Sequence, residues 1–343
     1  HGAPRRFGRA PRAMSLRPRH AGLLFGLLFP ALPATAGQIT IEAHAVQLDP
    51  AHPDVTRTGE LDFVGGLTLL SDDGRFGGWS GMLISPDGGH LVLISDIGWW
   101  LTAELTRENG RITGFRNTEI GPLLSPDGKP LGGDKMQGDA ESLAVRADGS
   151  MIVAFEQEHR ILRYPAQADG SLPLRHAPDT LPIPPDLNRA DPNGGLEALT
   201  ALPDGALFGF SEDLLDDAGH HQGWRFAGPD GAPPRAVALD VAADFKPTDL
   251  KRLASGEFLL LERRYDMMTG PGARLSILPA TAPESAGPIA GRELARIPAE
   301  LTVDNSEALG VWRDETGKTR ALVLSDDNFN PLQRTLLMEF VLP

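Results

Sequence analysis

The feature that most constrains this chain is a pattern that returns five times: an acidic residue, a short apolar strand, a glycine turn, a second apolar strand and a further acidic residue. Its clearest copy runs from Asp139-Ala140-Glu141-Ser142-Leu143 through the turn Asp148-Gly149 to Val153-Ala154-Phe155-Glu156. Close copies begin at Glu197-Ala198-Leu199, with turn Asp204-Gly205 and trailing Glu212, and at Glu307-Ala308-Leu309, with turn residues Asp314 and Gly317 and trailing Asp326. Weaker copies begin at Ser80-Gly81-Met82, with Asp87-Gly88 and Asp96, and at Thr248-Asp249-Leu250, with Ser255-Gly256 and Glu262. The anchors Met82, Leu143, Leu199, Leu250 and Leu309 are spaced by 61, 56, 51 and 59 residues. Units of this kind bury their apolar faces only by stacking on one another, and short strands at this period predict an all-β propeller of four-stranded blades around a channel.

The 343 residues include 39 Gly and 30 Pro, which suits many turns between short strands, and no long segment carries a helical period. Residues 37–343 are therefore expected to form a single propeller domain. The prolines between Pro173 and Pro192 cannot donate to a central ladder, so that stretch reads as connector or edge. The 45 residues from Gly37 to Gly81 and the 34 after Leu309 together exceed one repeat. They either close the ring, by pairing an N-terminal strand with the C-terminal blade, or form a degenerate further blade, so the count stands at five or six.

At the N-terminus Arg17, Arg19 and His20 precede the apolar run Ala21 to Phe29, and Ala34-Thr35-Ala36 offers a small-residue cleavage site. Residues 1–36 thus read as a signal peptide and upstream residues, and the protein as periplasmic or secreted. The run is too short for a comfortable permanent span. Residues 1–36 hold six arginines and no acid, which leaves 26 basic against 46 acidic residues, a balance of −20. Such a surface repels phosphate backbones and anionic lipid, so neither nucleic acid nor membrane is an expected partner; a monomer acting on a small molecule is. The absence of cysteine excludes disulfides, thiolate metal sites and cysteine nucleophiles.

In a propeller the first strand of each blade lines the channel, so equivalent positions fall on one ring. The leading carboxylates Glu141, Glu197 and Glu307 are expected to converge, with the trailing Asp96, Glu156, Glu212, Glu262 and Asp326 near the same rim. Such a ring must bind a cation, take up protons, recruit Lys or Arg, or stay wet. With oxygen donors alone, and Asp139, Asn305, Asp327 and Asn328 nearby, the cation favoured is calcium; the alternative is a solvated or backbone-satisfied acidic channel. Arg263-Arg264-Tyr265 places a guanidinium where it either pairs with the ring or clamps an anionic substrate. His159 and Arg160 invite the same two readings. His220-His221 reads as solvent-exposed, Asp72-Asp73-Gly74 as a turn, and Trp99-Trp100 as packing between blades or as a stacking platform. Gly78-Trp79-Ser80-Gly81 lacks the second glycine and the helix of a nucleophile elbow, which argues against Ser80 as nucleophile.

As a set these pieces resemble the phytase-like propeller family, described as having esterase-like activity of phytase. The matching segments are Gly132-Gly133-Asp134-Lys135 with Gly138 to Leu143, Phe155 to Arg160, Gly194 to Leu199, Pro247 to Leu250 before Leu261 to Arg264, and Asn305 to Leu309 before Ser325 to Asn330. The resemblance implies an exported, calcium-dependent ester or phosphoester hydrolase with an acidic centre. Within that frame Glu197 or Glu307 orients water and Arg263 steadies a substrate anion. No Lys/Arg cluster suited to a polyphosphate accompanies the acids. Two other readings stand beside it: a gluconolactonase-like lactonase with a similar acidic centre, and a non-catalytic propeller that binds a ligand or protein.

Overall fold

The computed structural model describes residues 1–2, 35–228 and 231–343, and all but the ends of the expected signal peptide lie outside them. Five antiparallel blades follow in chain order. Their inner strands are Trp79–Ile84, Ala140–Val145, Leu196–Ala201, Lys246–Arg252 and Asn305–Arg313. Each packs against the inner strands of the two neighbouring blades, and the fifth against the first, so five units close the ring. Among the described residues there is no sixth blade.

Every blade turns at the same place for the same reason. The N–H groups of Gly88, Gly149, Gly205, Gly256 and Gly317 donate to the carbonyls of Ser85, Arg146, Leu202, Leu253 and Asp314 at 2.8 to 2.9 Å. The five glycines have φ between +70° and +93°, a region that L side chains adopt only under strain.

The expectation of four-stranded blades holds for blades two and four only. Blade one gains Gly37–Gln38 on its outer edge, and blade three gains Ile289–Ala290 in a parallel pairing. Blade five draws on both ends of the domain: Thr335–Val341 pairs antiparallel with Leu61–Leu70, Leu337 facing Leu67, and Glu42–Val46 lies outside that. The added strands cover edges that would otherwise present unpaired backbone groups.

Five hydrophobic clusters lie between adjacent blades. Alternation along each strand sends successive side chains to opposite interfaces: Ala308 joins Met82 and Leu93 of blade one, whereas Leu309 joins Leu259 and Leu261 of blade four. Trp99 and Trp100, both buried, divide in the same way between the interfaces with blades five and two, which settles their role as packing. Among the described residues no helix is long and apolar enough to cross a membrane.

Candidate functional site

The axial site originates in a backbone irregularity repeated in every blade. The pairing between first and second strands skips one residue on the inner strand, namely Ser80, Glu141, Glu197, Thr248 and Glu307. A bulge frees that residue from the ladder and re-aims its side chain. On the second strand the residues following the bulge partner are Asp96, Glu156, Glu212, Arg263 and Asp326. These two rings, Thr248 excepted, line one cavity of about 850 Å³. Thr248 is instead buried and donates to the Ser306 carbonyl at 3.1 Å.

Seven of the eight carboxylates expected on the axis therefore come together: Glu141, Glu197, Glu307, Asp96, Glu156, Glu212 and Asp326. Glu262 does not. Its fully buried carboxylate accepts from Arg274 Nη1 at 2.7 and 2.9 Å and from Ser276 Oγ at 2.7 Å, within blade four. A slip of one residue moves a strand side chain to the opposite face. Counting seven residues from the turn glycine reaches Glu156 and Glu212 in blades two and three, and Arg263 in blade four.

Arg263 thus occupies the trailing position of the fourth blade and brings a cation into the ring. Its Nη2 donates to Glu212 Oε1 at 2.7 Å and its Nη1 to Asn305 Oδ1 at 3.0 Å. Its Nε lies 3.1 Å from Glu307 Oε1 but off the N–H line, so this contact is electrostatic and the Nε–H keeps no hydrogen-bond partner. Burial by itself would lower the guanidinium pKa; Glu307, Glu197 and Glu212 outweigh it and raise the value. A second cation was not foreseen. Lys135, on the one-turn helix Lys135–Gly138 capped by Asp134, reaches Asp96 Oδ2 at 2.7 Å and Asp139 Oδ1 at 2.9 Å. The spacing of four between Lys135 and Asp139 was the available signal.

Arg263, Lys135 and Lys246, whose Nζ lies 3.5 Å from Glu212 Oε2, do not balance the acids around them. Glu141 and Glu197 form no ion pair with Lys or Arg among the described residues, and burial followed by neighbouring acids raises both well above the ordinary range: Asp139 and Glu156 act on Glu141, Glu212 and Glu156 on Glu197. Burial, then Asp96, does the same to Asp326. Glu156 is pushed up to about 8, mainly by burial, although the Gly195 N–H donates to its Oε1. Glu307 is pushed up to about 7 by burial, with Arg263 pulling the other way. Asp96 is raised by burial against the pull of Lys135, and its Oδ1 is buried without a partner.

This donor set fits a hard divalent cation. Asp139, Glu141 and Glu156 each present a ligand atom, all within 4.8 Å of one another. The donors are oxygens alone, as calcium prefers, and the unmatched charge supplies the electrostatic reason to bind one.

The remaining candidates take structural places. Ser80 Oγ donates to the Gly78 carbonyl at 3.3 Å, and no histidine bonds to it among the described residues. His159 pins a loop, with Nε2 3.1 Å from the Asp191 carbonyl, while the Arg160 guanidinium stacks 4.2 Å from the Phe155 ring centre. His220 pairs with Asp216 at 3.0 Å. His221, expected at the surface, is buried with Nδ1 3.3 Å from the Ser211 carbonyl, because its strand pairs with the one carrying Leu215. Asp73 holds Arg75 at 2.7 Å in a local turn.

Comparison with known proteins gives a family match. The family model "Phytase-like: Esterase-like activity of phytase" matches residues 74–329. No curated protein sequence matches the chain. Similar solved structures include a gluconolactonase from Xanthomonas campestris, 15% identical, covering 90% of this chain and 98% of that one, with a TM-score of 0.43. A virginiamycin B lyase from Staphylococcus aureus is 10% identical, with coverage of 89% and 100% and a TM-score of 0.41. A putative 6-phosphogluconolactonase from Bacteroides fragilis is 12% identical, with coverage of 84% and 88% and a TM-score of 0.38. Likeness at this level says nothing about substrate.

Proposed function

The chain belongs to the phytase-like family, esterase-like activity of phytase, and from that membership we propose that it is an exported hydrolase of small ester or phosphoester substrates with calcium at its acidic axis. The observation that carries this reading is the convergence of seven carboxylates from four blades on one cavity, three of them on bulges, with Glu141 and Glu197 in no ion pair with Lys or Arg among the described residues. Asp139, Glu141 and Glu156 are the residues that would hold the ion. A calcium ion bound there would supply Lewis-acid polarisation of a carbonyl or phosphoryl oxygen and offset the carboxylate charge.

The chain's own groups divide the remaining work. Glu307 titrates near neutrality, and its Oε1 is engaged by Asn305 Nδ2 at 2.7 Å, which leaves Oε2 to take a proton from water. Glu197, whose carboxyl burial and the neighbouring acids Glu212 and Glu156 raise well above the ordinary range, is suited to deliver a proton to the departing oxygen. Arg263 lines the cavity with its guanidinium held by Glu212 and Asn305, a cation placed to meet an anionic substrate oxygen.

The test is a panel of aryl esters, aryl phosphates and lactones, assayed with calcium and with chelator. The reading requires turnover of an ester or phosphate that chelation abolishes and calcium restores. Turnover confined to lactones would select the lactonase alternative, and no turnover from calcium-loaded protein would select a binding scaffold; either outcome overturns the proposal.

A further inference from the structure

The cavity that gathers the carboxylates has a second wall of different chemistry. On the side of blades four and five it is lined by Tyr265, Pro271, Ala299, Leu301, Val303 and Leu332. Tyr265 is the last residue but one of the second strand of blade four and pairs across a hairpin with Pro271 of the third. Ala299, Leu301 and Val303 belong to the connector into blade five, and Leu332 to the loop between Asp326 and Thr335.

Two of these wall residues, Tyr265 and Leu332, are exposed large apolar side chains. Of the nine large apolar side chains exposed among the described residues, five (Tyr265, Met267, Met268, Phe329 and Leu332) fall within two short loops, residues 265–268 and 329–332, with Tyr265 at 72% and Leu332 at 89%. Isolated exposed apolar residues need no explanation, whereas a cluster beside a polar cavity marks a binding surface. Polar neighbours on the same loop are already paired: Asn330 Nδ2 donates to Gln333 Oε1 at 3.3 Å, and Arg334 Nε to Asp304 Oδ2 at 3.3 Å. They leave the apolar groups as the unmatched surface. A volume of about 850 Å³, continuous with the acidic floor, has the size of a small-molecule site.

The geometry points to an amphipathic small molecule as the occupant: an ester or phosphoester whose polar group sits over the acidic floor and whose apolar chain or ring lies along the Tyr265–Leu332 wall. This rests on the hydrolase reading and narrows its substrate class. The wall is on one side only, so one substituent of the ester is apolar and the other is free to be small or polar.

The experiment is a binding series on the full chain by titration calorimetry, at ligand concentrations below aggregation. One arm uses n-alkylphosphonates, methyl to octyl, in calcium chloride; the other uses n-alkylammonium ions of the same lengths in chelator. Affinity is expected to rise by about two- to fourfold per methylene, the lower figure applying where the chain stays partly wet. Tyr265→Ser and Leu332→Ser, both at exposed positions, are expected to flatten that rise while melting at the parent's temperature. Affinity independent of chain length in both arms, or no binding in either, would overturn the apolar wall. Chain-length dependence with the ammonium series alone, and no phosphonate binding in calcium, would sustain the wall and overturn the calcium reading, so the two claims fail separately.

Discussion

Replacing Glu156 with glutamine should stabilise the metal-free protein, a result opposite to that of most buried substitutions. Glu156 is buried and held at about 8 against an ordinary value of 4.5. Between those values the folded protein keeps a proton that the unfolded chain has released, so its stability is fully present below pH 4.5 and falls as pH rises towards 8. At about 1.4 kcal/mol per pH unit, the cost carried at pH 7 is about 3 kcal/mol. Glu156→Gln removes that cost while keeping the shape and the oxygen that accepts from the Gly195 N–H. In chelator at pH 7 the variant should melt about 5 °C above the parent, given the unfolding entropy of a chain this size. At pH 4.5 the difference should vanish. Calcium should close most of that gap, since ligand at a hundredfold excess over Kd adds about 2.7 kcal/mol to the protein that binds it and less to the one that lost a ligand. A variant less stable than the parent at pH 7 in chelator would refute the reasoning, because it would mean that the Glu156 charge is compensated in the fold.

Further predictions address the partners of the ring. Arg263→Met leaves Glu212 and Glu307 buried beside an apolar group; metal-free stability should fall by about 3 to 5 kcal/mol, and the limb of the pH–rate profile assigned to Glu307 should move above 7, measurable by denaturant unfolding and kinetics. Glu262→Gln should also destabilise, by about 1 to 3 kcal/mol, because Arg274 loses one of its two carboxylate partners and keeps Glu293, yet leave calcium affinity unchanged in a titration. Gly317→Ala meets open space at φ +80° and should cost about 1 to 2 kcal/mol from backbone strain alone. Gly88→Ala should cost more, because the added carbon would stand 2.3 Å from Trp312 Nε1.

The blades were legible in the sequence because strand and turn are dictated locally: an apolar run, a glycine that tolerates positive φ, a second run. The convergence of Glu141, Glu197 and Glu307 could be read for the same reason, since repetition carries equivalent positions to one ring. Blade four was read one residue out of register because its turn is Ser255-Gly256 and an acid, Glu262, happens to precede the arginine that occupies the axial position. The cation Lys135 was missed because it enters from a loop outside the repeat. His221 was misplaced because two adjacent histidines look polar until strand pairing buries His221 and leaves His220 in the turn before it. The apolar wall was not anticipated at all, since Tyr265, Leu301 and Leu332 are brought together only by the curvature of neighbouring blades.

The most direct test is a calcium titration by calorimetry at pH 7.5 on protein beginning at Gly37, alongside Glu141→Gln and Glu156→Gln. Saturable calcium binding by the parent, weakened at least tenfold in both variants, is the predicted result. A parent that binds no calcium, or variants that bind it as tightly, would contradict the claim that the bulged strands converge their carboxylates on a cation.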